Sequence, residues 1–556
     1  MKNRRFVAIT AAACVALTSA AAPVFAADAS ADSFTGVLRA QAEKSLASAI
    51  ANYEEEYQQF EQNIGADMSL TLTPGVGAIA LVQGFGLDLS WLQNVAINMT
   101  ESIVDPEISG DAKILVNGSE IACMEELYDL STQDILYRIP ELSDQSLAMN
   151  MNDVIAMTEA SLEQAQAGGV EGIDQASLEQ LQSSLPLLQL ITQIHSIKDI
   201  QALLPAPEVL ASISQRYLNV LFNNITDVSS EESTVSVDTL SVPATAYTAT
   251  MGGAELISFV KEAVDTLKDD QEVLPMIQAL LAGSEDMSYD DFIQELESTS
   301  QMFAEMGPED MNMEDAPTLD MIIWVDAEGN IVGEHQSMIS DGETMEMSFL
   351  APSDGENCAL ALDYIMPESM SADSGVSEIT LAGKGTVADK AVTGDYILTV
   401  NGTDLAQIHA DNVVCDPEAQ TYSGALTASF IAPENSEDYT AAMLSQFAAA
   451  INYNMTKEAF DCALTVSMSG MEIATLSLTG AETDAVKTFT KEEFEPAISL
   501  TDDAAMNEFV SSIDPTVYLT NLQNAGMPAE FIEQITNLMG GGAEAAAPAA
   551  EAAPAN

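Results

Sequence analysis

GDAKILVNGSEIA, from Gly110 to Ala122, returns as GDYILTVNGTDLA from Gly394 to Ala406. Six of the thirteen positions are identical: the Gly, the Asp, the Val, the Asn-Gly pair and the closing Ala. Four more exchange only Ser/Thr, Glu/Asp or Ile/Leu, so the stretch is an internal duplication. Both residues of each Asn-Gly pair tolerate the positive φ that a two-residue hairpin turn demands, and each pair lies between two β-type runs. A third, looser echo, VSMSGMEIA, runs from Val466 to Ala474. The reading is α+β: two duplicated lobes, each an antiparallel β-meander packed on helices.

Outward from the first copy, residues 67–151 break into short runs, MSLTLT, VAINMT, SEIACMEEL, DILYRI and LAMNM, divided by Gly, Pro and Asn-Gly. Upstream, residues 27–63 have the spacing of one amphipathic helix, with Phe34, Leu38, Leu46, Ile50, Tyr53, Tyr57 and Phe60 on one side. Between Asp153 and Asn224 the period is helical, and Pro207 is placed to open a helix over PEVLASISQRYLNVLF. Two strands, STVSVDTLSV and ATAYTATM, precede a helix striped by Leu256, Val260, Val264 and Leu267. Ser288 and Asp291 form a capping pair for the next helix. Around the second copy, LDMIIWVD and NIVGEHQSM flank a turn at Ala327-Glu328-Gly329, and MEMSFLAP, CALALDYIM and SEITLAG continue the meander. A covering helix is expected over 438–452. The chain divides into a signal peptide (1–26), an N-terminal α+β half (27–305), an acidic, Met-rich linker (306–317), a C-terminal mostly β half (318–539) and a disordered Ala/Pro/Glu tail (540–556).

Lys2, Arg4 and Arg5 ahead of the apolar stretch Phe6–Leu17, with Val24-Phe25-Ala26 closing it, predict an exported protein whose mature chain starts at Ala27. No later stretch reads as a membrane span, because the uncharged run from Met68 to Leu87 contains Pro74 and four glycines. The whole chain carries a formal charge of -71, from 16 Lys+Arg against 87 Asp+Glu. So few cations exclude nucleic acid and other polyanions as partners. With 47% hydrophobic residues the chain nevertheless has ample surface to bury, and its length calls for two or more domains.

Four cysteines, Cys123, Cys358, Cys415 and Cys462, remain in the mature chain with no CxxC pair; they are read as buried small hydrophobes, and three full pairings stay open. His195 is placed on a helix within LITQIHSIKDI, and His335 and His409 on strands outside any paired-ligand spacing. No GxSxG, GxGxxG or GxxxxGK[ST] motif is present, so no catalytic, cofactor or metal residue is assigned and no cofactor is expected. Asp326-Ala327-Glu328-Gly329-Asn330 fails as a calcium loop, since Ser337 stands where the bidentate Glu belongs. The acidic cluster Glu309, Asp310, Glu314 and Asp315 is read as a solvated loop. Met149/Met151, Met311/Met313 and Met345/Met347 lack a Cys or His companion, so they read as same-face pairs filling apolar clefts rather than as copper ligands. The run MSLTLTPGVGAIALVQGFGL is read as a buried strand and glycine-rich turn, with contact to lipid or protein as the other reading.

VNGSEIA with YRIPELSD (Tyr137–Asp144), a helix-rich middle and WVDAEGNIVG (Trp324–Gly333) resembles a family of uncharacterised exported proteins of gut Firmicutes. More loosely, a curved meander wrapped on helices resembles the half-barrel of bacterial lipoprotein carriers, which implies an apolar cleft for acyl chains and carries no residues across. The expected function is that of a secreted, non-enzymatic binding protein for a lipid-like ligand or a protein partner. The other reading is an acidic structural or adhesion-type surface protein acting through Ca²⁺ or cationic partners.

Overall fold

The computed structural model describes residues 32–59, 63–166, 185, 188–281, 288–305, 317–340, 342–367, 369–371, 375–417, 419–432, 443–483 and 488–541. The signal segment, the Met311/Met313 pair, the 309–315 cluster and most of the tail lie outside them. The chain forms two compact units: Met1–Gln62 with Ile155–Lys457, and Asn63–Val154 with Glu458–Asn556. The boundary expected at 306–317 therefore falls inside the range of the first unit.

In chain order, α1 (Phe34–Gln59) is followed by β1 (Ile64–Pro74), α2 (Val76–Gly84), β2 (Val95–Val104), β3 (Glu107–Val116), β4 (Ser119–Asp129), β5 (Asp134–Arg138) and β6 (Ser146–Asn150). Helices α3 (Met151–Gln166), α4 (Ile197–Leu203) and α5 (Pro207–Asn223) lead to β7 (Thr226–Val237) and β8 (Leu240–Met251), then α6 (Gly253–Lys268), α7 (Val273–Leu281) and α8 (Tyr289–Glu305). Strands β9 (Thr318–Val325), β10 (Ile331–Ser340), β11 (Glu343–Leu350), β12 (Asn357–Ile365), β13 (Glu378–Ala388), β14 (Ala391–Val400), β15 (Thr403–Asp416), β16 (Thr421–Phe430) and β17 (Phe447–Met455) follow. The chain closes with β18 (Ala459–Met468), β19 (Met471–Thr483), β20 (Ala497–Ser499), α9 (Asp503–Ser512), α10 (Thr516–Asn524) and α11 (Ala529–Gly541).

In the first unit, β7 to β17 pair antiparallel in sequence order, a long meander. Its core lies at the β8–β10 end, where Phe34, Val37 and Leu38 of α1, Phe222 of α5 and Leu256 of α6 meet Met251, Leu319, Met321 and Ile323. Pro207 opens α5 and Ser288 caps α8, its Oγ accepting from Asp291 N at 3.1 Å, as the sequence predicts. The β7–β8 turn sits at Asp238, φ 52°, so STVSVDTLSV, read as one strand, is split between β7 and β8. Pro243 pairs with Thr234 of β7 at a point where β8 has not yet met β9, so its missing N–H costs no ladder bond on that side.

In the second unit the order is β18–β19–β1–β2–β3–β4–β5–β6, all antiparallel, with β20 added parallel to β6. One core joins Val116 and Ile121 to Leu522 and Ala525 of α10, with Trp91 packed against it. A second joins Leu127 and Leu136 to Phe489 and Phe494, whose rings meet edge to face at 5.8 Å.

The repeat is one device used three times. Asn117-Gly118, Asn401-Gly402 and Ser469-Gly470 each have two consecutive positive φ angles, near 50° and near 75°, the requirement of a type I′ turn. In each copy one residue, Ile121, Leu405 or Ile473, is skipped in the ladder before the shared Ala pairs again. That bulge adds local twist beside the turn. The Asn does more than accept positive φ. Asn117 Oδ1 accepts from Gln93 N and Asn94 N and its Nδ2 donates to Trp91 O, while Asn401 Oδ1 accepts from Ser377 N and Glu378 N and its Nδ2 donates to Gly375 O. Each Asn thus ties its turn to the loop entering the strand before the hairpin.

One helical expectation fails. Residues 447–452 of the expected 438–452 helix belong to β17, where Ala448, Ala449 and Ala450 pair with Ser429, Ala428 and Thr427; residues 433–442 lie outside the described set. Pairing to β16 overrides the helix preference of the alanine run. The C-terminal half is mostly β, as expected, with α9, α10 and α11 as its helical part.

Candidate ligand-binding faces

Strand alternation sends successive side chains to opposite faces, and the register of the second unit sorts them almost completely by polarity. One face carries the rows Leu464–Leu476–Leu72–Val95–Val116, Cys462–Leu478–Leu70–Ile97–Ile114–Ala122 and Phe460–Gly480–Met68–Met99–Ala112–Met124. Leu72, Ile97, Ile114, Met124, Leu464 and Leu476 are 36 to 47% exposed. The Phe460 ring fills the space over Gly480, where an added Cβ would come within 2.4 Å of it. The uncharged run is not the buried strand and turn expected: it forms β1 and the nine-residue α2, with Val76, Leu81, Phe85 and Leu87 44 to 86% exposed. Gly77 lets α2 approach the end of β19, since a Cβ there would lie 2.7 Å from Ile473 Cδ1.

The opposite face carries Asp461–Thr479–Ser69–Asn98–Lys113–Cys123 and Asp67–Thr100–Asp111–Glu125–Arg138. A cleft of about 590 Å³ opens over Asp67, Ser69, Asn98, Thr100, Asp111 and Lys113. Asp111 is buried there; Thr100 Oγ1 donates to it at 2.5 Å, and Lys113 Nζ stands 3.9 Å away. Burial, helped by the Asp111 and Glu125 carboxylates, pushes the Cys123 thiol up to about 11, so it stays protonated and unreactive. Farther along this sheet Lys491 donates to Asp134 and Thr132. Burial opposes ionisation of Asp134, but hydrogen bonds from Lys491, Asn150 and Thr132 outweigh it and hold the carboxyl below its ordinary value.

In the first unit one row crosses the meander at right angles to the strands: Glu334 of β10, then Phe349, Leu362, Leu381, Leu398, Ala406 and Phe430. On its other side Glu334 faces Ile323 of β9. Phe34 and Leu38 of α1 line a void of about 10 Å³ with Glu334, room for one water at most. Among the described residues Glu334 has no hydrogen-bond or ion-pair partner, and burial among these apolar groups raises its carboxyl to about 7. The helices pack at the β7–β10 end, and the row beyond Phe349 stays mostly half-buried, ending in Phe430 at 51% exposed.

The residues singled out from sequence are dispersed. His195 is not helical but sits exposed before Ser196, the cap of α4, its backbone N donating to Asp199. His335 lines the small void beside Glu334, and His409 Nδ1 lies 2.9 Å from Asp395 Oδ1 on an exposed strand surface. Asp326 accepts from Glu328 N and Asn330 N, the hairpin turn anticipated in place of a calcium loop. No disulfide links the four cysteines; Cys123 is buried, Cys358 and Cys462 half-buried, and Cys415 exposed, against the expected burial. Met345 and Met347 share a face, pairing with Met338 and Gln336. Among the described residues no group of three or more His, Cys, Asp or Glu could hold a metal ion, and no helix is long and apolar enough to cross a membrane. Sequence periodicity finds the apolar strands; it does not align them, so neither the three-row face nor the Glu334 row was visible before the register was known.

No family model matches the chain, and neither the curated proteins nor the solved structures give a match.

Proposed function

We propose that this chain is an exported, non-enzymatic binding protein that takes an apolar, lipid-like ligand on an open sheet face. The observation that carries this reading is the three-row apolar face of the second unit, wet away from the Val95–Val116 corner that α10 covers, together with the exposed side chains of α2. A contiguous apolar surface of this kind is rare on proteins that bind nothing, because each side chain left half-wet forgoes on the order of 1 kcal/mol of burial. Met68, Met99 and Met124 share one row, and flexible thioethers let such a surface fit chains of different shape. Export is supported by Lys2, Arg4 and Arg5 ahead of Phe6–Leu17.

Native mass spectrometry of the protein purified from the cells that make it, before and after solvent extraction, tests this reading. A stoichiometric lipid-sized adduct that extraction removes, and that Ile97→Asp abolishes, is expected. A bare mass from fresh material that also fails to take up added phospholipid or fatty alcohol would sink it.

A further inference from the structure

We propose that the row headed by Glu334 in the first unit binds a single-chain cationic amphiphile, a primary alkylammonium whose water-sized head meets the Glu334 carboxylate while its chain lies along Phe349, Leu362, Leu381 and Leu398. This site is separate from the second-unit face and goes beyond the reading above. Strands stand about 4.8 Å apart, so the six steps from Glu334 to Phe430 run for roughly 29 Å, room for a long alkyl chain laid across the strands. Glu334 is the one ionisable group on that row; Lys384, Asp395 and His409 pair along the opposite face of the same strands. A carboxylate without a partner in apolar surroundings is costly, and an incoming ammonium would supply the missing charge.

Charge complementarity settles the class of head group. With a formal charge of -71 the chain draws cations and repels fatty-acid carboxylates and lipid phosphates. The groups facing Glu334 are Phe34 and Leu38 from α1, Ile323 from β9 and Phe349 from β11, none of them titratable, and His335 is the other ionisable residue lining the adjoining void. Binding a primary ammonium, which stays charged well above neutrality, therefore expels a proton from Glu334, and affinity rises with pH through neutrality.

The experiment is titration calorimetry of the full chain with decylammonium, decan-1-ol and decanoate, each below its aggregation concentration, at pH 5.5 and 7.5. One saturable site that Leu381→Gln weakens is expected beside any uptake by the second-unit face, about tenfold or more tighter for the ammonium than for the alcohol at pH 7.5, with that preference shrinking at pH 5.5. Glu334→Gln should remove the preference, weakening the ammonium far more than the alcohol. Glu378→Gln, which deletes the same charge from an exposed position on the other face, should preserve it. Leu381→Gln should weaken the ammonium and the alcohol in parallel. Equal affinity for ammonium and alcohol, or equal loss in Glu334→Gln and Glu378→Gln, would overturn the head-group assignment and leave apolar binding standing. Failure of every probe to bind would overturn both.

Discussion

The hairpin β3–β4 in the second unit and the hairpin β14–β15 in the first are copies of one sequence, yet they live in different surroundings. Turn, bulge and Asn tether are the same in both. The skipped residue of the first copy, Ile121, is 4% exposed under Leu522 and Ala525, whereas its counterpart Leu405 is 39% exposed. Asp111 is buried beside Thr100, and its counterpart Asp395 is exposed beside His409. The duplication therefore preserved the backbone device and let the side-chain environment diverge, so the repeat carries fold rather than site.

Substitution at matched positions puts this contrast to its hardest test. Ile121→Ala should cost about 3 kcal/mol through lost burial and the cavity left behind. Leu405→Ala should cost less than about 1 kcal/mol, since its side chain is already wet. Urea midpoints of the two variants decide the matter, and equal costs would mean that the first copy is no more capped than the second.

Acidification should separate the units in opposite directions. The Glu334 carboxyl is raised from 4.5 to about 7, so the folded first unit binds a proton the unfolded chain has released. Its stability is full below about pH 4.5 and falls, by up to about 3 kcal/mol, as pH rises through 7. Glu334→Gln should flatten that slope. Asp134 in the second unit is depressed, so its contribution is present above 3.8 and is lost as pH drops further. Thermal melts at pH 2.5, 4.5, 6 and 8 read both signs, and a first-unit transition indifferent to pH between 4.5 and 8 would contradict the burial of Glu334.

The tether gives a smaller effect. Asn117→Gly keeps the positive φ and deletes the side-chain bonds, which should cost about 2 kcal/mol because Asn117 Nδ2 also donates to Ala525 O at 2.6 Å in a partly buried setting. Asn401→Gly, in an exposed turn, should cost about 1 kcal/mol on the same denaturation assay. Smallest of all, His409→Ala should move stability by less than about 0.5 kcal/mol, as an exposed pair with Asp395 predicts. A larger loss would show that the exposed copy has a role the geometry does not require.

How far the sequence could be read follows from these particulars. Asn-Gly between β-type runs is a local signal, and it located two of the three equivalent hairpins; the third, with Ser469 in place of Asn, kept its Gly and closing Ala and was visible only as an echo. Local signals failed where pairing overrode them. Ala448–Ala450 favour a helix until β16 is alongside, and Pro243 looks like a break until β8 is seen to lack a neighbour on that side there. The Glu334 row was out of reach for a different reason. A single Glu in NIVGEHQSM is unremarkable, and only the register from β10 to β16 makes it the head of an apolar track.

The pairing of β1 with β19 joins Leu72 to Leu476, so the chain leaves the second unit after residue 154 and re-enters it at 458. During synthesis, everything needed to finish the first unit emerges before the strand that closes the second. Until then β1 presents an unpaired edge beside an oily face, the situation in which chains associate with one another. A companion that shields that edge, or slow release of the last hundred residues, would decide how much of the product ends up as single folded molecules.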